Sequence, residues 1–300
     1  MKQKPKIIAL TGASATGKSN LAVKIAQKYN GEIISADSRY VYKYIDIASA
    51  KPTIEERQGI KHHLIDICEV TETYSVGRFV KDADKCINEI VKVNKIPIIT
   101  GGTGLYFRAL RGTFDIPEVV ADEEFRKHAE NISSEQLYEQ LKKLDSHIAQ
   151  KIHPNNKVKI IRAIEIFNAK VELCSKDCPY EILWIGLNSD DREFLYSKSE
   201  KRVDKMFENG LLEEAEMLFN KYGKNSILMN TIGIKELYNV IFNNENIDFA
   251  KNEIKKNTRH YIKRQISWFK NERDISWINI EKNKYYENEA YKMIEKFCKH

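Results

Sequence analysis

The sequence predicts an α/β protein: a parallel sheet core with helices on both faces, plus a small all-α insertion domain. Three observations carry that expectation. Short apolar runs alternate with amphipathic stretches over the first hundred residues, the alternation stops between residues 114 and 179, and it resumes with the apolar run YEILWIGL over 180–187. Strands separated by helix-length segments need crossover connections, which make neighbouring strands parallel and place ligand-binding loops at their carboxyl ends. The expected division is a core of residues 1–113 and 180–300 around an insertion of residues 114–179.

Each element follows from its local pattern. KIIAL (6–10) is a short apolar run ended by Thr-Gly, as a buried strand requires. NLAVKIAQKY (20–29) carries apolar residues at 21, 25, 26 and 29, the helical period. GEIISAD (31–37) is a second strand ending in an acid, SVGRFVKDADKCINEIVKVN (75–94) an amphipathic helix, and IPIITGGTG (96–104) a third strand running into glycines. In the insertion, SSEQLYEQLKKLDSHIAQKI (133–152) and NKVKIIRAIEIFNAK (156–170) read as helices. REFLYSKSEKRVDKMFENGLLEEAEMLFNKY (192–222) is helical with Gly210 as a break or cap. Helical patterns continue through Arg273, and the tail is rich in Asn, Lys and Glu.

Composition narrows the class. A chain of 300 residues with 42% apolar and 31% charged residues suits one large domain or a core with a lesser appended one. No stretch approaches the roughly 18 uninterrupted apolar residues of a membrane helix. MKQKPKIIALTG leads directly into the first strand, so no signal peptide and no membrane partner are expected. The five cysteines, at 68, 86, 174, 178 and 298, form an odd, scattered set that fits reduced thiols and a cytoplasmic location. Cys174 and Cys178 lack the second pair or nearby histidine of a tetrahedral metal site.

The net charge of +6 is concentrated: residues 251–273 hold eight Lys or Arg against two Glu. A localised basic stripe is the footprint of a polyanion partner; the plainer alternative is a solvated helix face. Lys256, Arg259, Lys263 and Lys270 share one face at helical spacing, with Ile254, Ile262 and Phe269 mostly elsewhere around the helix. Lys157, Lys159 and Arg162 add a basic cluster in the insertion, and two such clusters suggest a folded nucleic acid.

GASATGKS (12–19) matches G-x-x-x-x-G-K-S between a strand and a helix, so the core is P-loop NTPase-like. Backbone N–H groups from Ala13 through Ser14, Ala15, Thr16 and Gly17 to Ser19 are placed to wrap an anion at a helix N-terminus, after the turn at Gly12. Lys18 sets a cation against the terminal phosphates and Ser19 can hold Mg²⁺. The motif leaves the owner of the phosphate open. The third strand ends in PIITGGTG, without the acid that orients magnesium in ATPases and GTPases. The acid stands instead at Asp37, in ISADSRYVYK, where it can act as a general base or, more plainly, cap a turn. TGGTGLYFRAL (100–110) puts Thr103 on an adjacent loop, as a ligand contact or as part of a tight turn. His62 and His63 in KHHLIDI point to opposite faces of a strand, a poor metal pair, so a structural role is expected for them.

Taken in order, GASATGKS, ISADSRYVYK, DIASAKPT, HHLIDI, TGGTGLYFRAL, KIIRAIEIF, REFLYSKSEKRVDKMFENGL and TRHYIKRQISWF resemble the bacterial tRNA dimethylallyltransferases, also called tRNA isopentenyltransferases, from about residue 7 to 278. The resemblance implies transfer of a dimethylallyl group from dimethylallyl diphosphate to N6 of adenosine 37, in tRNAs reading codons that begin with U. It implies that Gly12 to Ser19 cradle the donor's diphosphate, that Asp37 is the base acting on N6, and that Thr103 lies near that amine. Arg126 and Arg202 match arginines placed near the substrates. Matching stretches that contact the tRNA anticodon stem-loop contain Asp37, Ser38, Arg39 and Tyr40; Val158, Lys159, Ile160, Ile161 and Arg162; Asn230 and Lys235; and Arg259, Lys263, Arg264, Gln265 and Lys270. The implied cofactor is Mg²⁺, and the chain is expected to work as a monomer. Ala13 and Ser14 replace the family's usual Pro and Thr without removing the backbone cradle; Tyr40 stands where Gln is common, and His260 where Gln is common.

Two rivals share the loop. An adenylate isopentenyltransferase would prenylate free AMP, ADP or ATP, but needs neither the insertion nor the basic helix. A nucleoside or metabolite kinase would consume ATP.

Overall fold

A computed structural model describes residues 4–112, 119–170 and 177–299. Internal contacts divide the chain into two compact units, Met1–Arg111 with Cys178–His300, and Gly112–Asp177. Cys174 lies outside the described residues.

The larger unit is built on one sheet of strands β1 (Lys6–Gly12), β2 (Gly31–Ser35), β3 (His62–His63), β4 (Ile96–Thr100), β5 (Glu181–Asn188) and β6 (Ser276–Asn279). Their order is β3-β2-β4-β1-β5-β6 and every pairing is parallel. Helices α1 (Lys18–Lys28), α2 (Ile54–Arg57), α3 (Val76–Lys92) and α4 (Gly104–Leu110) join the first four strands or follow them. Helices α5 (Glu123–Glu130), α6 (Ser134–Leu144), α7 (Ser146–Gln150) and α8 (Lys157–Asn168) form the smaller unit. Helices α9 (Arg192–Glu208), α10 (Leu211–Tyr222), α11 (Ser226–Met229), α12 (Tyr238–Asn243), α13 (Ile247–Lys270) and α14 (Tyr286–Lys299) complete the larger one.

The central strands are buried on both faces, which explains their continuous apolar runs. Ile7, Ala9, Ile34 and Ile99 point to one layer, with Phe79 and Ile87 of α3 and Phe107 of α4. Ile8, Leu10, Ile33 and Ile98 point to the other, against Leu21 and Ile25 of α1 and Ile294 of α14. Because every pairing is parallel, the carboxyl ends of all the strands lie at the same edge of the sheet.

Two expectations change and one is met. The segment 133–152 is two helices, because Asp145 leaves helical geometry and its carboxylate accepts the Ile148 N–H at 2.8 Å. Gly210 does break the helix after residue 208, in the left-handed region at φ 95°, a conformation that suits glycine. The polar tail folds as β6 and α14, elements its composition concealed. Only Ala290 and Ile294 of α14 are buried, a stripe too sparse to stand out among Lys, Glu and Tyr. Tyr29, the C-terminal cap of α1, meets Tyr291 edge-on, and Lys24 pairs with Glu287 at 2.6 Å.

The smaller unit has its own core of Leu137, Leu141, Ala149, Ile160 and Ile164. At its edge the buried Glu165 accepts from the guanidinium groups of Arg126, at 2.7 Å, and Arg162, at 3.0 Å.

Candidate functional site

The carboxyl ends of β1, β2 and β4 deliver two glycine loops and one acid to the same cavity, of about 1030 Å³, inside the larger unit. The first loop closes tightly. A Cβ on Gly12, whose φ is 136°, would lie 2.2 Å from the Leu187 carbonyl oxygen on β5, so only glycine fits there. Gly17, at φ 87°, starts α1, and the Thr16 hydroxyl donates to the Ala13 carbonyl at 2.8 Å. Lys18 is buried and its Nζ donates to the same carbonyl at 2.6 Å. Burial, reinforced by the Arg202 charge and opposed by Asp37, brings the Lys18 pKa down to about 7. Ser19 is exposed at the cavity wall, beside the Tyr40 hydroxyl.

Asp37 sits just past β2. Burial raises its pKa above the ordinary carboxylate value, against the stabilising Arg39 N–H and the charges of Arg39 and Lys18. Its Oδ1 accepts the Arg39 N–H at 2.8 Å, so it caps a turn and faces the cavity at once. The second glycine loop holds that turn: the Thr103 N–H donates to the Ala36 carbonyl at 3.2 Å, and the Thr103 hydroxyl oxygen accepts the Ser38 N–H at 3.0 Å. A Cβ on Gly101 would meet the Ala36 carbonyl oxygen at 2.2 Å, which explains the glycine.

The other walls come from distant segments. Arg202 and Lys198 project from consecutive turns of α9, with Lys235, Arg39 and Arg264 adding cations around Asp37 and Glu56. The Arg202 Nε is buried without a hydrogen-bond partner, a donor suited to an anion in the cavity. Val203, Met206, Ile232 and Ile254 supply an apolar wall. The Arg39 guanidinium donates to the Asn230 carbonyl at 3.0 Å, joining two of the expected contact segments. The Tyr40 hydroxyl donates to the Ala50 carbonyl at 2.7 Å. The Ala48–Ala50 wall is in turn fixed by Glu214, whose carboxylate accepts three N–H groups, from Asp46, Ile47 and Ala48, at 2.9, 2.7 and 2.9 Å.

Several expected contacts are reassigned by burial. Gln265 is 4% exposed and its side chain is fully engaged inside the protein, so it does not face a partner. The Ser14 N–H donates to that side chain at 2.8 Å, which removes one amide from the expected anion cradle. Ile160 is completely buried in the core of the smaller unit and Ile161 packs against that core, whereas Val158 is exposed. Lys159 is exposed on α8, while Arg126 and Arg162 are tied to Glu165. On α13, Arg259 pairs with Glu200, and Lys263, Arg264 and Lys270 are exposed. His63 bonds Glu32 at 2.7 Å, while His62 lines the cavity with its Nδ1–H on the Ile60 carbonyl.

Sequence reasoning missed Lys198 and Glu214, and it placed Tyr261 only on the inward side of the basic helix, whereas the residue lines the cavity. Lys198 was findable, since it lies four residues before Arg202 on the same helix face. Glu214 carried no local signal. Among the described residues no cluster of three or more His, Cys, Asp or Glu could hold a metal, and no helix is long and apolar enough to cross a membrane. The Ser19 hydroxyl is exposed at the cavity and is a hard-oxygen donor of the kind Mg²⁺ accepts.

Residues 40–272 match the IPP transferase family. A tRNA dimethylallyltransferase of Caldanaerobacter subterraneus subsp. tengcongensis is 42% identical over 298 residues, covering 94% of each chain. That of Oceanobacillus iheyensis is 39% identical, over 93% of this chain and 92% of its own. The full-length tRNA isopentenylpyrophosphate transferase of Bacillus halodurans has a similar structure, with a TM-score of 0.73 at 35% identity over 99% of both chains. A eukaryotic dimethylallyltransferase acting on tRNA gives a TM-score of 0.74 at 29% identity, over 92% of this chain and 74% of that one.

Proposed function

The chain belongs to the IPP transferase family and is a prenyltransferase of tRNA, and from that premise we propose that it moves the dimethylallyl group of dimethylallyl diphosphate to N6 of adenosine 37 in the anticodon loop. The observation that carries this reading is the shared cavity: a diphosphate cradle with its lysine and a half-buried carboxylate open onto one space lined by further cations.

The donor's diphosphate lies on the amides at the start of α1, with Lys18 and Arg202 against it. As the adenine N6 attacks, the C1–O bond of the donor breaks, the N6–C1 bond forms, and the electron pair leaves with the diphosphate. Lys18, Arg202 and the loop N–H groups stabilise that growing charge. The N6 proton passes to Asp37, whose raised pKa makes it a better base than an exposed carboxylate. Thr103 holds the backbone of Ser38 and so keeps the carboxylate in place. Val203, Met206 and Ile254 offer the prenyl chain an apolar wall. Ser19 would hold Mg²⁺, which would supply further neutralisation of the diphosphate charge when bound. The target adenine must leave its stack to enter such a cavity. The enzyme works as a cytoplasmic monomer on this reading.

Labelled dimethylallyl diphosphate offered with an anticodon stem-loop RNA or with AMP tests the acceptor. Transfer to the RNA and little to AMP is expected, and the reverse result would support an adenylate prenyltransferase. Asp37→Ala should lower kcat by about 10²–10⁴-fold with RNA affinity almost unchanged; an unaltered kcat would place the base elsewhere.

A further inference from the structure

We propose that Gln265 is a positioning residue, one whose side-chain amide locks the diphosphate cradle to the acceptor loop so that Lys18 and Asp37 address the same reacting bond. This deepens the prenyl-transfer reading and rests on it.

Gln265 lies on the buried face of α13, remote in sequence from both loops. Its Oε1 accepts the Ser14 N–H at 2.8 Å and its Nε2 donates to the Gly102 carbonyl at 3.0 Å. With 4% of the residue exposed, neither RNA nor diphosphate can claim these atoms. The second loop closes directly onto the amide, since a Cβ on Gly102 would lie 2.2 Å from Nε2. The connection runs on from Gly102. Thr103, the next residue, bonds the Ala36 carbonyl through its N–H and the Ser38 N–H through its hydroxyl, which pins the backbone on both sides of Asp37. Ser14, at the other end, belongs to the loop whose Ala13 carbonyl receives Lys18.

The chemistry of the side chain suits this work. A primary amide accepts at one atom and donates at another while staying neutral, and asparagine is one methylene too short to span the same gap. Leucine fills the volume with neither bond. Glutamate keeps the acceptor for Ser14 but turns an oxygen toward the Gly102 carbonyl. Misplacing a reacting group by about 1 Å can lower turnover by about a hundredfold without loss of binding, which separates a positioning role from a contact role.

The test compares Gln265→Leu and Gln265→Glu with Gly102→Ala, whose added Cβ displaces the amide from the loop side while the sequence of α13 stays unchanged. Single-turnover transfer to an anticodon stem-loop, affinity for inorganic diphosphate, affinity for the RNA and melting temperature are measured on each. The expected result is a fall of about 30-fold or more in the transfer rate, with both affinities within about threefold of the wild type. In an Asp37→Asn background Gln265→Leu should cost less than about threefold more, because a carboxylate already removed cannot be misplaced. Full multiplicativity, weakened RNA binding with rate preserved, or a lower melting temperature with rate preserved each overturns the proposal. If the wild type itself transfers nothing to RNA, the function falls first; an active wild type with unaffected variants overturns the proposal alone.

Discussion

The ammonium of Lys18 donates to the carbonyl oxygen of Ala13 at 2.6 Å, within the loop that precedes its own helix. Burial, then the Arg202 charge, brings its pKa from the usual 10.5 to about 7, against the pull of Asp37. An anion seated in the loop favours the charged form and restores a higher pKa. Below pH 7 the lysine is already protonated and binding takes up nothing through it. Above pH 7, binding of inorganic diphosphate should take up close to one proton through it, and affinity should fall by up to about tenfold per pH unit. Calorimetry in buffers of different ionisation enthalpy measures the uptake. Lys18→Met should remove that increment and leave only the protons the diphosphate itself binds; equal uptake in both proteins would refute the assignment.

Thr103 acts on Asp37 through the backbone. Its hydroxyl oxygen accepts the Ser38 N–H at 3.0 Å. Valine has the same shape but leaves that N–H unpaired, a loss of about 1–3 kcal/mol where the donor is buried. Thr103→Val should lower kcat by roughly tenfold with the donor's KM little changed, and Thr103→Ser should recover most of it. Steady-state kinetics on the three proteins decide it: a serine variant as poor as the valine one would point to lost methyl packing.

The basic helix is not uniformly available to a polyanion. Lys251 and Lys255 both reach Asp204, at 2.8 and 2.7 Å, Lys256 pairs with Glu253 at 3.0 Å, and Arg259 pairs with Glu200. Lys263 and Lys270, nearer the C-terminal end, are exposed and have no ion-pair partner among the described residues. Lys263→Ala and Lys270→Ala should each reduce the slope of log affinity for tRNA against log salt by about 1. Lys255→Ala should leave the slope unchanged, because its charge is already compensated inside the fold. A filter-binding titration between low and physiological salt distinguishes them, and equal slopes for all variants would remove the helix from the interface.

Much of this protein is local, and what is local was legible. The apolar runs at 6–10 and 96–100 and the helical period at 20–29 follow from steric preferences of a few neighbouring residues. The first glycine loop is equally local: Gly12 and Gly17 are needed because the chain turns through left-handed or crowded backbone within eight residues. Asp37 could be singled out because it directly follows the apolar run GEIIS, at the carboxyl end of the second strand. The basic segment at 251–273 was visible as a charge count, but a count cannot say which charges meet acids on another helix.

The sequence by itself determined the succession of strands and helices along the chain, the glycine loop with its lysine before α1, and the acid that follows β2. Only the tertiary structure decided that Gln265 bridges Ser14 to Gly102, that Arg39 reaches Asn230, that Glu214 holds the Asp46–Ala48 backbone, and that Ile160 turns inward. The physical reason is the same in each case. Periodicity states which face of an element is apolar, whereas the partner on that face is chosen by how whole layers pack. A polar side chain of α13 acquires its meaning only when packing brings it against two loops more than 150 residues away in the chain.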